Sequence, residues 1–205
     1  MIASEKREQR KEQHRLEILQ TAEQIFARQG YHTTTMETVA EECGWSKGTL
    51  YLYFKNKEDL FFSILLEKMD RFSATLLADL KSSKDIEGKI FALIDAQFRF
   101  FTENKHYFQL LITEQGKVMH TSNSGLREEL IQKQHSQIDQ ISQALEKGMK
   151  DDTPVQAIIL AGSIIGSVNL HLVSWLMAAE AIDLEYVKSQ LTTLFINGIS
   201  TNEKI

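Results

Sequence analysis

The chain has one cysteine, Cys43, and one proline, Pro154, in 205 residues. A single thiol excludes a disulfide framework within the chain and suits a reducing compartment. A single proline leaves few points at which a helix must break. The first residues, Met1 to Lys6, contain no apolar run that would mark a secretory signal, so a cytoplasmic location is expected. Strand-like alternation and internal repeats are missing. So are the phosphate-binding glycine loop, the paired-histidine metal motif and the serine nucleophile elbow. No catalytic residue, cofactor or metal is therefore expected. What remains is 42% hydrophobic residues, enough for a core in one domain or two small ones.

Positive charge is also scarce, and net charge is −5. A uniformly acidic protein is a poor partner for nucleic acid, but the distribution is uneven. Residues 1–57 hold nine Lys/Arg and eight Asp/Glu, a balance of +1, whereas residues 58–205 carry −6. Within 46–57 lie Lys47, Lys55 and Lys57 and no acid. DNA affinity needs a local basic surface rather than a basic protein. The arm 1–15, with Lys6, Arg7, Arg10, Lys11 and Arg15, also holds Glu5, Glu8 and Glu12. It suits phosphate contact and solvated helical ion pairing equally well.

Residues 33–60 carry the most information. Thr35 is placed to cap a helix whose inward stripe is Met36, Val39, Ala40 and Cys43. Gly44 follows where a turn needs positive φ. Ser46 then caps a second helix, with Lys47, Gly48 and Thr49 in its first turn. Leu50 and Phe54 point inward, while Gly48, Thr49, Tyr51 and Leu52 fall outward. Asn56 and Asp59 form a capping pair for the next helix, with Lys57 in its first turn. Two short helices across a glycine turn form a helix-turn-helix, which presents its second helix to the major groove.

These residues resemble the amino-terminal motif of the TetR/AcrR family of bacterial transcriptional regulators. The likeness runs through Ile18-Leu19, Ala22, Phe26, Gly30-Tyr31, Thr34-Thr35, Val39-Ala40, Gly44, Ser46 to Tyr51, Tyr53-Phe54 and Lys57 to Leu60. Trp45 and Leu52 depart from the residues usual at their positions. The resemblance covers about the first quarter of the chain. It implies an all-α protein: a three-helix DNA-binding head, residues 1–56, followed by a larger helical domain, residues 57–205, for ligand binding and dimerisation. It further implies a homodimer that represses from a palindromic operator until a small molecule binds. Expected DNA contacts are Thr35, Ser46, Lys47, Gly48, Thr49, Tyr51, Tyr53 and Lys57.

Apolar spacing places the first helix at about Arg10 to Arg28, ending at Gly30. A long helix from Lys57 to about Lys81 would link head and body, with Ser82-Ser83 as its break. Further helices are expected around residues 86–101 and 106–113, then a loop over 115–125, then a helix from Leu126 to Met149. Thr153 with Pro154 reads as a helix start, and Asp183 as the cap of the last helix.

From Thr153 to Ala179 there is no Asp, Glu, Lys or Arg. The run has the length of a membrane span, but Gln156, Ser163, Ser167, Asn169, His171 and Ser174 interrupt it. Gly162 and Gly166 suit close helix contact, and the resemblance implies that this helix and the last one, with Leu191, Leu194 and Phe195, form the dimer interface. Phe98, Phe101, Tyr107, Phe108, His171 and Trp175, with Phe91 and Met177, combine aromatic bulk with few polar handles. They are the expected lining for a hydrophobic or amphipathic effector. One alternative is a helical-bundle enzyme or metal-binding protein, with His120 or His135 beside Glu114, in which the amino-terminal unit serves packing alone. Another is a membrane-attached regulator inserted through residues 155–179.

Overall fold

The computed structural model describes residues 2–114, 124–150, 153, 155–178 and 183–200. Among them it contains nine α-helices and no strand: α1 (Ile2–Gln29), α2 (Met36–Glu42), α3 (Lys47–Tyr51), α4 (Lys57–Ser82), α5 (Ile86–Glu103), α6 (Lys105–Thr113), α7 (Ser124–Glu146), α8 (Ala157–Met177) and α9 (Leu184–Ser200). The residues group into two compact units, one of Met1–Lys68 with Lys105–Leu130 and one of Met69–Asn104 with Ile131–Ile205.

In the first unit the core is built from Ile18, Ala22, Ile25 and Phe26 of α1, Val39 and Ala40 of α2, Leu50 and Phe54, and Leu60, Phe61 and Ile64 of α4. Burying one such side chain contributes about 1.5–3 kcal/mol. Tyr31, Phe26 and Phe61 meet edge-on or tilted, with centroids 5.2–6.2 Å apart. Helix α1 begins well before the expected Arg10. Its residues 5–13 are exposed, so apolar spacing could not reveal them. They are composed of good helix formers, and Arg15 pairs with Glu12 at 3.2 Å. A buried ion pair, Lys68 Nζ to Glu23 Oε2 at 2.9 Å, joins α4 to α1. Tyr107 of α6 is buried in this unit, and its phenol is pushed above the ordinary range by burial and by Glu23.

The second unit packs α5, α8 and α9 together through Ile90, Leu93, Ile94, Phe98 and Phe101, then Leu160, Ile164, Val168, Leu172 and Trp175, and Leu191. Phe101 and Trp175 meet edge-on at 5.6 Å. Lys188 of α9 reaches Asp95 of α5 at 3.3 Å. Asp183 caps α9, accepting from the N–H groups of Glu185 and Tyr186 at 3.0 and 3.2 Å. The expected start at Thr153 is corrected. Helix α8 opens at Ala157 after Gln156, and the Thr153 hydroxyl instead accepts from the Lys150 N–H at 3.1 Å. Pro154 and most of the expected loop, residues 115–123, lie outside the described residues.

One described helix, α8, is long and apolar enough to cross a membrane, a test that core helices of soluble proteins also pass. Its inward face packs on α5 and α9.

Candidate nucleic-acid interface

Two hydroxyl caps and one glycine set the geometry of the α2–α3 pair. The Thr35 Oγ1 accepts from the Thr38 N–H, and the Ser46 Oγ accepts from the Thr49 N–H, each at 3.1 Å. Each satisfies a donor that the first turn of a helix leaves unpaired. Gly44 takes φ +70°, and the Trp45 N–H donates to the Ala40 carbonyl at 2.8 Å, closing the turn. Small Ala40 is buried between the helices.

Helix α3 then has two distinct sides. Leu50 is wholly buried and Phe54 nearly so. On the other side Ser46, Lys47 and Gly48 are exposed, Tyr51 is 43% exposed and Leu52 79%. Thr49 is half-buried, its hydroxyl 2.8 Å from that of Ser46. Nothing but the Ser46 hydroxyl, 3.8 Å away, comes near the space above Gly48. Among the described residues, no segment covers this face. It is free to meet a duplex, with a cation, hydroxyls, a phenol and an apolar tip arrayed along one short helix.

Tyr53 is half-buried against α1. Its hydroxyl lies 3.5 Å from His14 Nδ1, and Trp45 stacks edge-on against both rings, 4.6 Å from His14 and 5.9 Å from Tyr53. No sequence pattern marks His14, which is 31 residues from Trp45. Trp45 thus locks the entry to α3 against α1.

Lys57 is placed differently from the expected phosphate contact. Its ammonium donates to the carbonyls of Tyr31, His32 and Thr34 at 2.8, 3.2 and 2.7 Å and lies 4.5 Å over the Tyr31 ring. The turn between α1 and α2 directs three carbonyls, two of them part-buried, at one lysine. The cap of α4 matches the expected pair: Asn56 Oδ1 accepts from the Asp59 N–H, and Asp59 Oδ2 from the Lys55 N–H, both at 2.8 Å.

Lys47, at the first turn of α3, is ion-paired with Glu37, at the first turn of α2. The pair holds the carboxyl of Glu37 below its ordinary range and the ammonium of Lys47 above its own, mainly through their mutual hydrogen bond. No local motif singles out Glu37. Its only signal was its ten-residue offset from Lys47 across a tight turn.

The other expected site residues divide between the units. Phe98, Phe101, Trp175 and half-buried His171 belong to the second, while Tyr107 and half-buried Phe108 belong to the first. Phe91 and Met177 are corrected as lining, since both project into solvent. Gly162 and Gly166 lie on the open side of α8, with nothing within 4 Å of an added Cβ. Leu194 is exposed and Phe195 half-buried, but Leu191 is buried in its own unit and offers no surface. Glu114 faces His32 at 3.8 Å, His135 is exposed on α7, and His120 lies outside the described residues. No metal-binding cluster occurs among the described residues.

A capped, glycine-turned helix pair with an uncovered second helix defines a helix-turn-helix transcriptional regulator. Residues 18–64 form a domain of the TetR family: they match the bacterial regulatory proteins of that family. The chain is 25% identical over 187 residues to the fatty acid metabolism regulator protein of Bacillus subtilis, a match covering 90% of this chain and 94% of the relative. A crystal structure of the transcriptional regulator FadR from Bacillus subtilis, in complex with stearoyl-CoA, aligns with a TM-score of 0.70 at 25% identity, over 90% of this chain and 98% of that one. The fatty acid degradation regulator FadR from Bacillus halodurans shares the fold with a TM-score of 0.74 at 24% identity, over 92% and 97% of the two chains.

Proposed function

We propose that this regulator is a cytoplasmic repressor whose residues 1–56 read a palindromic operator and whose residues 57–205 dimerise and bind an effector. The observation that carries the reading is the two-sided α3, with Leu50 and Phe54 in the core and Lys47, Gly48, Tyr51 and Leu52 uncovered. Lys47, Thr49 and Tyr51 are the side chains we assign to bases or nearby phosphates; Thr35, Ser46 and Gly48 set the backbone approach. Tyr53 and Lys57 act by holding α3 and the α1–α2 turn in place. Two copies must present α3 about 34–36 Å apart, or a multiple of that, to meet successive major grooves. Gly162, Gly166, Leu194 and Phe195 are the residues we assign to the contact between copies.

The effector we propose is a long-chain acyl-CoA, a hydrophobic chain with a charged head. The support is the stearoyl-CoA complex of a relative similar over nearly its whole length. Phe98, Phe101, His171 and Trp175 are our candidates for its chain-facing residues. Release follows only if the effector binds the DNA-incompetent arrangement more tightly than the competent one. The protein acts by binding, and no catalytic step is assigned to it.

The test is fluorescence anisotropy on a labelled duplex from the region upstream of the chain's own gene, with and without stearoyl-CoA. Sequence-selective binding that micromolar stearoyl-CoA reverses supports the reading. Selective binding indifferent to acyl-CoA rejects the effector, and absence of selective binding rejects the operator.

A further inference from the structure

No Lys or Arg other than Lys47 lies between Arg28 and Lys55, so Lys47 is the one full cation that the α2–α3 pair can offer to DNA. In the free protein that cation is already engaged, because Glu37 is ion-paired with it. Both side chains are about half exposed, 56% and 48%, and an exposed ion pair contributes little to folding. The acid therefore does little for the fold, and its main consequence falls on binding. Lys47 also lies 5.9 Å from the Tyr51 ring centre, so its position bears directly on the exposed side of α3. The other acids of α2 are differently placed: Glu42 pairs with Arg28 at 3.7 Å, and Glu41 lies a turn further on.

We propose that Glu37 is a specificity-determining residue that competes with DNA phosphate for Lys47. On arbitrary DNA, a phosphate must displace the Glu37 carboxylate and leave it unpaired beside a polyanion. The exchange releases fewer counterions than a free lysine would, which weakens the sequence-independent part of binding. On the operator, the Lys47 ammonium is directed to a base edge and keeps Glu37 as its partner, so the exchange is confined to arbitrary DNA. Non-operator DNA thus bears the penalty most visibly, and the ratio of operator to non-operator affinity rises. This inference rests on the DNA-binding reading above and adds to it a means of discrimination.

The experiment uses the full chain and its Glu37→Gln, Lys47→Gln and doubly substituted forms. Each is titrated on the operator duplex and on a scrambled duplex of equal length between 50 and 200 mM salt. Glu37→Gln is expected to tighten scrambled-duplex binding and to steepen its salt slope by about 0.9. That slope corresponds to about a threefold larger affinity loss across this salt range. The operator-to-scrambled ratio shrinks accordingly. In the Lys47→Gln background the same change has no effect. Unchanged scrambled binding in Glu37→Gln overturns the proposal. An equal gain in both backgrounds also overturns it, since Glu37 would then repel phosphate without acting on Lys47. If the unsubstituted chain shows no preference for the operator, the DNA-binding reading itself fails, which separates that failure from the other two.

Discussion

Lys57 is bound twice to Tyr31: its ammonium donates to the Tyr31 carbonyl at 2.8 Å and lies 4.5 Å above the centre of the same residue's ring. Two further carbonyls, of His32 and Thr34, also accept from it. One side chain in the first turn of α4 thereby fixes the chain's path into α2.

Lys57→Met should therefore act on stability before it acts on DNA. Hydrogen bonds from a charged donor contribute about 1.5–3 kcal/mol, and the loss leaves part-buried carbonyls without their cation. Thermal unfolding should show a lower midpoint, while the salt slope of DNA binding stays the same. An unchanged midpoint with a slope flatter by about one phosphate would restore Lys57 to the DNA contact.

Gly44→Ala should destabilise the protein by about 1–2 kcal/mol, the cost of a left-handed backbone with a Cβ. Open space surrounds the position, so the cost is conformational and not steric. Gly44→Asn should cost less, because asparagine tolerates that region. Denaturant unfolding of both variants checks the order; equal losses would point to packing instead.

Gly162→Leu and Gly166→Leu separate folding from assembly. Neither glycine has an atom within 4 Å of an added Cβ, and leucine favours helix over glycine by roughly 0.8 kcal/mol. The folded chain should be at least as stable, yet the proposed close approach of two copies would be blocked. Sedimentation should show monomer at concentrations where the unsubstituted chain is dimeric. A dimer of undiminished affinity would place the contact elsewhere.

Tyr31 and Tyr107 should ionise late in an alkaline titration. Burial first, then Glu58 and Glu114, raise Tyr31 from 10.0 to about 12, and burial with Glu23 raises Tyr107 further. The raised values mean the fold favours the neutral phenols. Their contribution is present below pH 10 and, for Tyr31, is lost as pH climbs from there through about 12. Absorbance at tyrosinate wavelengths should lose its late component in the Tyr31→Phe, Tyr107→Phe double variant. A late component of undiminished size would contradict the assignment.

The parts of this fold legible in the sequence are those governed by local chemistry. Thr35, Ser46, Asn56 and Asp183 cap helices because a hydroxyl, amide or carboxylate precedes an apolar stripe, and Gly44 turns because little else can. The solvated start of α1 left no apolar trace. The Lys57 carbonyl cage, the His14–Trp45 stack and the Glu37–Lys47 pair depend on residues brought together by tertiary packing. A lysine at a helix start suits a phosphate by charge and free N–H groups, and only tertiary structure shows that three carbonyls hold Lys57. Exposure separates Phe91 and Met177 from the buried aromatics, a distinction that composition does not contain.

The central claim is that α3 reads sequence from a two-fold site. Its most direct measurement is selection of bound fragments from random duplex DNA by the full chain, followed by footprinting of the recovered sites. Inverted half-sites about one helical turn apart, or a multiple, bound by two copies, are the expected product, with Tyr51→Ala weakening the selected sequence more than unselected DNA. Recovery of unrelated fragments, or a Tyr51→Ala chain that binds the selected site undiminished, would contradict it.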